Sequence, residues 1–160
     1  MKNLNHYYKS FYDNSPIGFY TTDIQTGEFI MVNPACARIL GYDNPKELLS
    51  SGIKSLAFYD KKARDLFIER AKNSGIADYE MQICVPGRKE KIWVSISATL
   101  CEGGECLQGS ITDITQQKKM EEEIEDLRQS SIKTLKEIKK QAKHRLEKVN
   151  EELSFCARAV

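Results

Sequence analysis

The chain has 160 residues, 41% of them apolar and 29% charged, which is enough for one buried core but not for two full domains. Its 24 basic and 23 acidic side chains leave a net charge of +1, with none of the basic excess that phosphate-backbone binding relies on, so nucleic acid is not expected as a partner. No apolar run approaches the roughly 18 residues of a membrane span, and no apolar segment follows Lys2 to make a secretory signal, so the expectation is a cytoplasmic protein with no membrane partner.

Leu4, Tyr8 and Phe11, with Tyr7 and Tyr12 beside them, recur at helical spacing and stop before Ser15-Pro16, which predicts a short amphipathic helix over 1–14. Gly18 to Asp23 and Glu28 to Val32 are rich in aromatic and β-branched residues and flank a turn at Thr26-Gly27, so they read as a hairpin. Asn33 stands as the cap of a helix that starts at Pro34, turns Cys36, Ile39 and Leu40 inward and stops at Gly41. One or two helical turns are expected between Asn44 and Phe58. A longer helix follows from a cap at Asp60 to Lys72, with Ala63, Leu66, Phe67 and Ala71 as its buried side and Asn73-Ser74-Gly75 as its end.

Three strands come next. Tyr79, Met81, Ile83 and Val85 alternate with polar residues, and a Pro86-Gly87 turn leads to Lys91–Cys101. In that strand Ile92, Val94, Ile96, Ala98 and Leu100 share the core face, while Trp93 lies on the other. Gly103-Gly104 has the composition of a two-residue turn, returning the chain as Cys106 to Ile114 with Leu107, Gly109 and Ile111 inward. The order of elements predicts an α+β domain, an antiparallel sheet with helices on one face.

All nine glycines and all four prolines lie before residue 110, and the composition shifts near Thr115 to that of a long helix over 116–160. Its apolar residues are Ile124, Leu127, Leu135, Ile138, Ala142, Leu146, Val149 and Leu153. Ile124, Leu135 and Leu146 repeat every 11 residues, as do Leu127, Ile138 and Val149, a period that favours a straight to slightly right-handed supercoil. So polar a helix needs a second copy against its stripe, which predicts a parallel homodimer, with folding back onto its own domain as the alternative. His144 reads as an exposed helix residue, because it is followed by R-L-E-K-V-N, without the directly adjoining acidic residue and nearby proline of phosphoacceptor helices. The end, F-C-A-R-A-V, has no glycine stop and implies a helix continuing in a longer parent protein.

The five cysteines are odd in number, no C-x-x-C pair exists, and His6 and His144 stand at opposite ends, so neither a disulfide framework nor a metal site is expected. Cys101 and Cys106 face each other if Glu102 and Glu105 form the last bonded pair of the hairpin, and reduced thiols are the expected state. Cys36 reads as a small inward hydrophobe.

Four strings in order, S-P-I-G-F-Y-T-T-D at 15–23, N-P-A-C-A-R-I-L-G-Y at 33–42, K-I-W-V-S-I-S-A-T at 91–99 and G-S-I-T-D-I-T at 109–115, resemble the PAS sensor domain family. The resemblance implies the PAS fold over 15–115, a five-stranded antiparallel sheet with a cavity between it and the helices, and a sensory role without catalysis. It also implies no flavin adduct, since D-N-P-K-E-L-L-S-S-G-I-K-S-L after Gly41-Tyr42 holds no cysteine and Val94 and Ile111 stand where such domains aim amides. Haem is disfavoured by the absence of histidine from the long helix, and no cofactor is expected. The cavity lining implied is Phe67, Val94, Ile96, Ala98 and Ile111, which serve equally as ordinary core residues. Asp113, Ile114 and Thr115 form the joint to the output helix, with Asp113 or Thr115 capping it and Gln116 placed as in a capping box. The resulting expectation is a sensory and dimerisation module acting on a downstream signalling domain or protein. A ligand-free structural adaptor, or the front of a histidine kinase or cyclase, are the alternatives.

Overall fold

The computed structural model describes residues 4–55, 61–74 and 77–158, leaving aside within them the side chains at 63, 74, 77–78, 152–153 and 155–158. Two compact units divide it, residues 1–116 and 117–160.

The first unit is built from α1 (Leu4–Asn14), β1 (Gly18–Asp23), β2 (Phe29–Val32), α2 (Pro34–Ile39), α3 (Pro45–Ser50), α4 (Lys61–Ser74), β3 (Ala77–Ile83), β4 (Ile92–Leu100) and β5 (Cys106–Asp113). The five strands form one antiparallel sheet in the order β2-β1-β5-β4-β3. Strand alternation decides its two faces. Along β4, Ile92, Val94, Ile96 and Ala98 are buried while Trp93, Ser95, Ser97 and Thr99 are half-buried. Leu107 and Ile111 of β5 join them, and Cys36, Leu40, Leu48, Phe67 and Ala71 of the helices close the core from the other side.

Local chemistry places the turns. Between β1 and β2 the Asp23 carboxylate accepts from the backbone N–H groups of Gln25 (2.9 Å) and Thr26 (2.6 Å), and Gly27 takes the left-handed conformation at φ 73°. The hydrogen bonds from Thr26, above all its backbone N–H, hold the Asp23 carboxyl below its ordinary range. Asn33 caps α2 through its side-chain oxygen to the Cys36 N–H, and Asn44 caps α3 through the Glu47 N–H. The α3 turn meets the expectation between Asn44 and Phe58.

Three expectations are corrected. In α4 Leu66 is not part of the buried side: it is 54% exposed, whereas Arg64 is 5% exposed and lies inward with Phe67 and Ala71. Those three positions follow an i, i+3, i+7 spacing that hydropathy cannot identify when its first member is an arginine. Arg64 tolerates burial because its guanidinium donates to the carbonyls of Ile24 (2.9 Å) and Asp23 (2.8 Å) and to the Ser55 hydroxyl (3.3 Å). Second, the β4–β5 hairpin does not end at a Glu102/Glu105 pair with a two-residue turn. Cys101 N–H donates to the Cys106 carbonyl (3.0 Å) and Gly104 N–H to the Cys101 carbonyl (3.0 Å), so Cys101 and Cys106 are the closing pair, with Gly103 and Gly104 both at positive φ inside the loop. Third, those two cysteines are joined as a disulfide rather than held as thiols, their Cα atoms 5.5 Å apart as directly opposed bonded positions require. The expected cap at Asp60 and stop at Gly75 lie outside the described residues, as do the side chains of Ala63 and Leu153.

Helix α1 carries its apolar stripe outward: Leu4, Tyr7, Tyr8 and Phe11 are exposed, while Tyr12 stacks on Phe19. The second unit is the helix α5 (Thr115–Arg158) beyond its first turn. At about 1.5 Å per residue its 44 residues reach roughly 66 Å.

Candidate functional site

Two places in the first unit hold chemistry that the core does not need, a small cavity and the junction where the sheet becomes a helix. The cavity lies between the inner face of the sheet and α2, and is lined by Tyr20, Thr22, Phe29, Cys36, Leu40, Ser55, Ile83, Ile96 and Ile111. Its volume is about 20 Å³, room for about one water molecule. Ile96 and Ile111, expected on the lining, are there. Phe67, Val94 and Ala98 belong to the same buried cluster without reaching the cavity wall.

What the sequence did not mark is the polar part of the lining. Thr22 and Ser55 are buried, and Tyr20 lies two residues before Thr22 on the same face of β1. A polar residue in phase with Gly18 and Tyr20 is the legible sign for Thr22. Ser55 lies between α3 and α4 and has no such sign. Its hydroxyl links the cavity to Arg64, and Gly27 approaches both so closely that a Cβ there would stand 3.0 Å from the Ser55 oxygen.

The Cys36 thiol faces the cavity, and burial pushes its pKa up to about 12. It therefore stays protonated and is no nucleophile at neutral pH. Among the described residues no group of three or more His, Cys, Asp or Glu side chains is placed to hold a metal ion.

At the junction, Asp113, Ile114 and Thr115 are brought together on Trp93 of β4. The Ile114 N–H donates to the Trp93 carbonyl (2.9 Å), and the Trp93 N–H donates to the Thr115 hydroxyl (2.9 Å). Asp113 accepts from the Thr115 N–H (3.0 Å) and lies 3.7 Å from the Arg88 guanidinium. Asp113 is thus the residue that caps, while the Thr115 hydroxyl is spent on the sheet. The reciprocal bond from Gln116 is not formed among the described residues. Arg88 was not legible as a partner because only the fold brings the β3–β4 turn beside residue 113. This pair is partly exposed, so its worth lies in position more than in energy.

Replacing Asp113 by alanine is expected to leave the sheet intact while removing about 1 kcal/mol from the helix start, so amides 115–118 exchange with deuterium roughly fivefold faster. Unchanged exchange there, with a normally folded sheet, would show that the Asp113 cap does not hold the first turn.

On α5, Met120, Ile124, Leu127, Leu135, Ile138, Leu146 and Val149 are all exposed, and Ala142 lies with Ile138, Leu146 and Val149 along a shallow groove on one side of the helix. Met120 extends the stripe one turn earlier than the sequence reading placed it. His144 is exposed on the same helix.

The first unit is thus a five-stranded antiparallel sheet packed against helices, with a water-sized core cavity and a capped exit into a helix. Residues 6–72 match the family model of the PAS domain, and the front unit has the PAS fold. No curated protein sequence matches the chain. Among solved structures, a PAS domain from Colwellia psychrerythraea aligns over 71% of this chain and 99% of its own with 16% identity and a TM-score of 0.59. A domain of a sensory box sensor histidine kinase/response regulator from Geobacter sulfurreducens aligns over 70% and 98%, with 19% identity and a TM-score of 0.53. The PAS domain of a LuxR-family transcriptional regulator from Burkholderia thailandensis, solved in complex with ethanol, aligns over 67% and 96%, with 16% identity and a TM-score of 0.54. At these identities the likeness is one of fold.

Proposed function

We propose that this PAS domain is the input of a signalling protein, sensing through its core and passing the state of its sheet through Asp113–Thr115 into a helix that pairs with a second copy. The observation that carries the reading is the exposed stripe of α5 with its 11-residue repeat, directly after a helix start bonded to β4. Large aliphatic side chains along one line of a charged helix cost free energy in water, and an identical helix in parallel covers them all in register. The downstream partner is a signalling domain or protein that reads the paired helix. A cytoplasmic site of action agrees with the composition, and among the described residues no helix is long and apolar enough to cross a membrane. The small cavity supports a second reading, a PAS domain that serves as a dimerisation adaptor with no bound ligand.

Sedimentation of the whole protein and of a form truncated after Gln117 tests the pairing. The whole chain is expected to be dimeric at micromolar concentration, and the truncated form to lose at least tenfold in dimer affinity. Equal affinities would remove α5 from the interface and leave the exposed face of α1 to account for association.

A further inference from the structure

We infer that Cys101 and Cys106 are a reversible thiol–disulfide site whose state controls the order of the turn between β1 and β2. The pair closes the β4–β5 hairpin, and the Cys106 N–H donates to the Cys101 sulfur at 3.0 Å. Both residues are half-buried, within reach of a small thiol. They differ in this from Cys36, which is sealed in the core, and from Cys84, which is exposed with no disulfide partner.

The chemistry needs a low-molecular-weight thiol/disulfide couple such as glutathione. One cysteine thiolate attacks a sulfur of the oxidised couple, forming a mixed disulfide and releasing one small thiolate. The other cysteine thiolate then attacks the protein sulfur of that mixed disulfide, forming the Cys101–Cys106 bond and releasing the second small thiolate. Two protein thiols lose two electrons and two protons, and one small disulfide becomes two small thiols. An excess of the reduced couple runs the same steps backwards.

A run of contacts leads from this bond to the cavity. Glu105, next to Cys106 in the hairpin tip, accepts through its carbonyl from the Ile24 N–H (3.0 Å). The carbonyls of Ile24 and Asp23 accept from the Arg64 guanidinium, whose Nε donates to Ser55 on the cavity wall. With the disulfide formed, the tip carrying Gly103 and Gly104 is closed covalently and Glu105 is held against Ile24. With it reduced, two glycines at positive φ leave the tip many conformations, and the Ile24 N–H loses the partner that protects it.

The test uses the whole protein equilibrated in mixtures of oxidised and reduced glutathione, then denatured, alkylated and weighed. Of the five cysteines, two fewer are expected to be alkylated on the oxidising side. In the reduced form the Ile24 amide is expected to exchange about tenfold faster, while that of Ile96 at the centre of β4 is unchanged. A Cys101→Ser/Cys106→Ser protein is expected to show the reduced rate at Ile24 in every mixture. Five alkylated cysteines under all conditions, or one Ile24 rate in both states, would overturn the inference. Neither outcome bears on association through α5.

Discussion

Replacing Asn33 by alanine is expected to cost about 3–5 kcal/mol of stability, a large fraction of the roughly 5–15 kcal/mol that holds a domain folded. The side chain is fully buried and makes four hydrogen bonds. Its oxygen accepts from Phe19 N–H (2.8 Å) and Cys36 N–H (2.9 Å), and its nitrogen donates to the carbonyls of Tyr12 (3.0 Å) and Ile17 (2.9 Å). One amide therefore satisfies the end of α1, the start of β1 and the first turn of α2. Alanine leaves all four backbone groups wanting partners in a space that water does not easily enter. Aspartate keeps both acceptor bonds but sets a charge against two carbonyls, so Asn33→Asp is expected to fail as badly. Urea denaturation measures both variants. A loss below about 1 kcal/mol in either would mean that α1 and α2 reorganise around the site at little cost.

The second large effect is expected at Gly109. A Cβ built there stands 1.9 Å from the Ser97 carbonyl oxygen and 2.8 Å from the Ala98 Cα, and both are backbone. No rotamer relieves such a contact. Gly109 is also paired on both sides, with Ala98 of β4 and Tyr20 of β1, so β5 has no slack to yield. Gly109→Ala is expected to lose about 4 kcal/mol or more and to unfold at a midpoint well below the parent. Gly104→Ala provides the contrast. Nothing lies within 4 Å of its Cβ, and the cost is only that of holding alanine at φ 75°, about 1 kcal/mol. Equal losses in the two variants would show that backbone conformation, not the approach of the strands, sets the requirement for glycine.

These two residues also mark the limits of reading the chain before its structure. Asn33 was legible as a helix cap, because an asparagine before proline and an apolar stripe is a local signal. Its bonds to Tyr12, Ile17 and Phe19 were not, since they join segments that only the fold brings together. The faces of β4 could be read because period-two alternation is strong from Ile92 to Leu100. The face of α4 was misread at Leu66 because three acceptors elsewhere in the fold make burial of Arg64 favourable, and no pattern within the helix records them. Likewise Asp113 was legible as a cap, whereas the attachment of Thr115 to Trp93 depends on β4 lying beside the helix start. The cavity wall divides in the same way: Ile96 and Ile111 follow from alternation, and Ser55 follows from nothing local.

The position of β5 in the sheet has a further consequence, for the order in which the chain becomes structured. The last strand to be synthesised lies in the middle, between β1 and β4, so Gly18 pairs with Ile111 across nearly the whole length of the domain. While the ribosome is still making β3 and β4, β1 has only the four residues of β2 to pair with. Such a sheet has high contact order: its central pairings require most of the chain to be closed into a loop first, which slows folding relative to a helical bundle of equal size. The segment that completes the sheet is continuous with the segment that begins α5. The start of the helix and the closure of the domain therefore belong to one cooperative event, and a nascent chain that has not yet released residue 113 has neither.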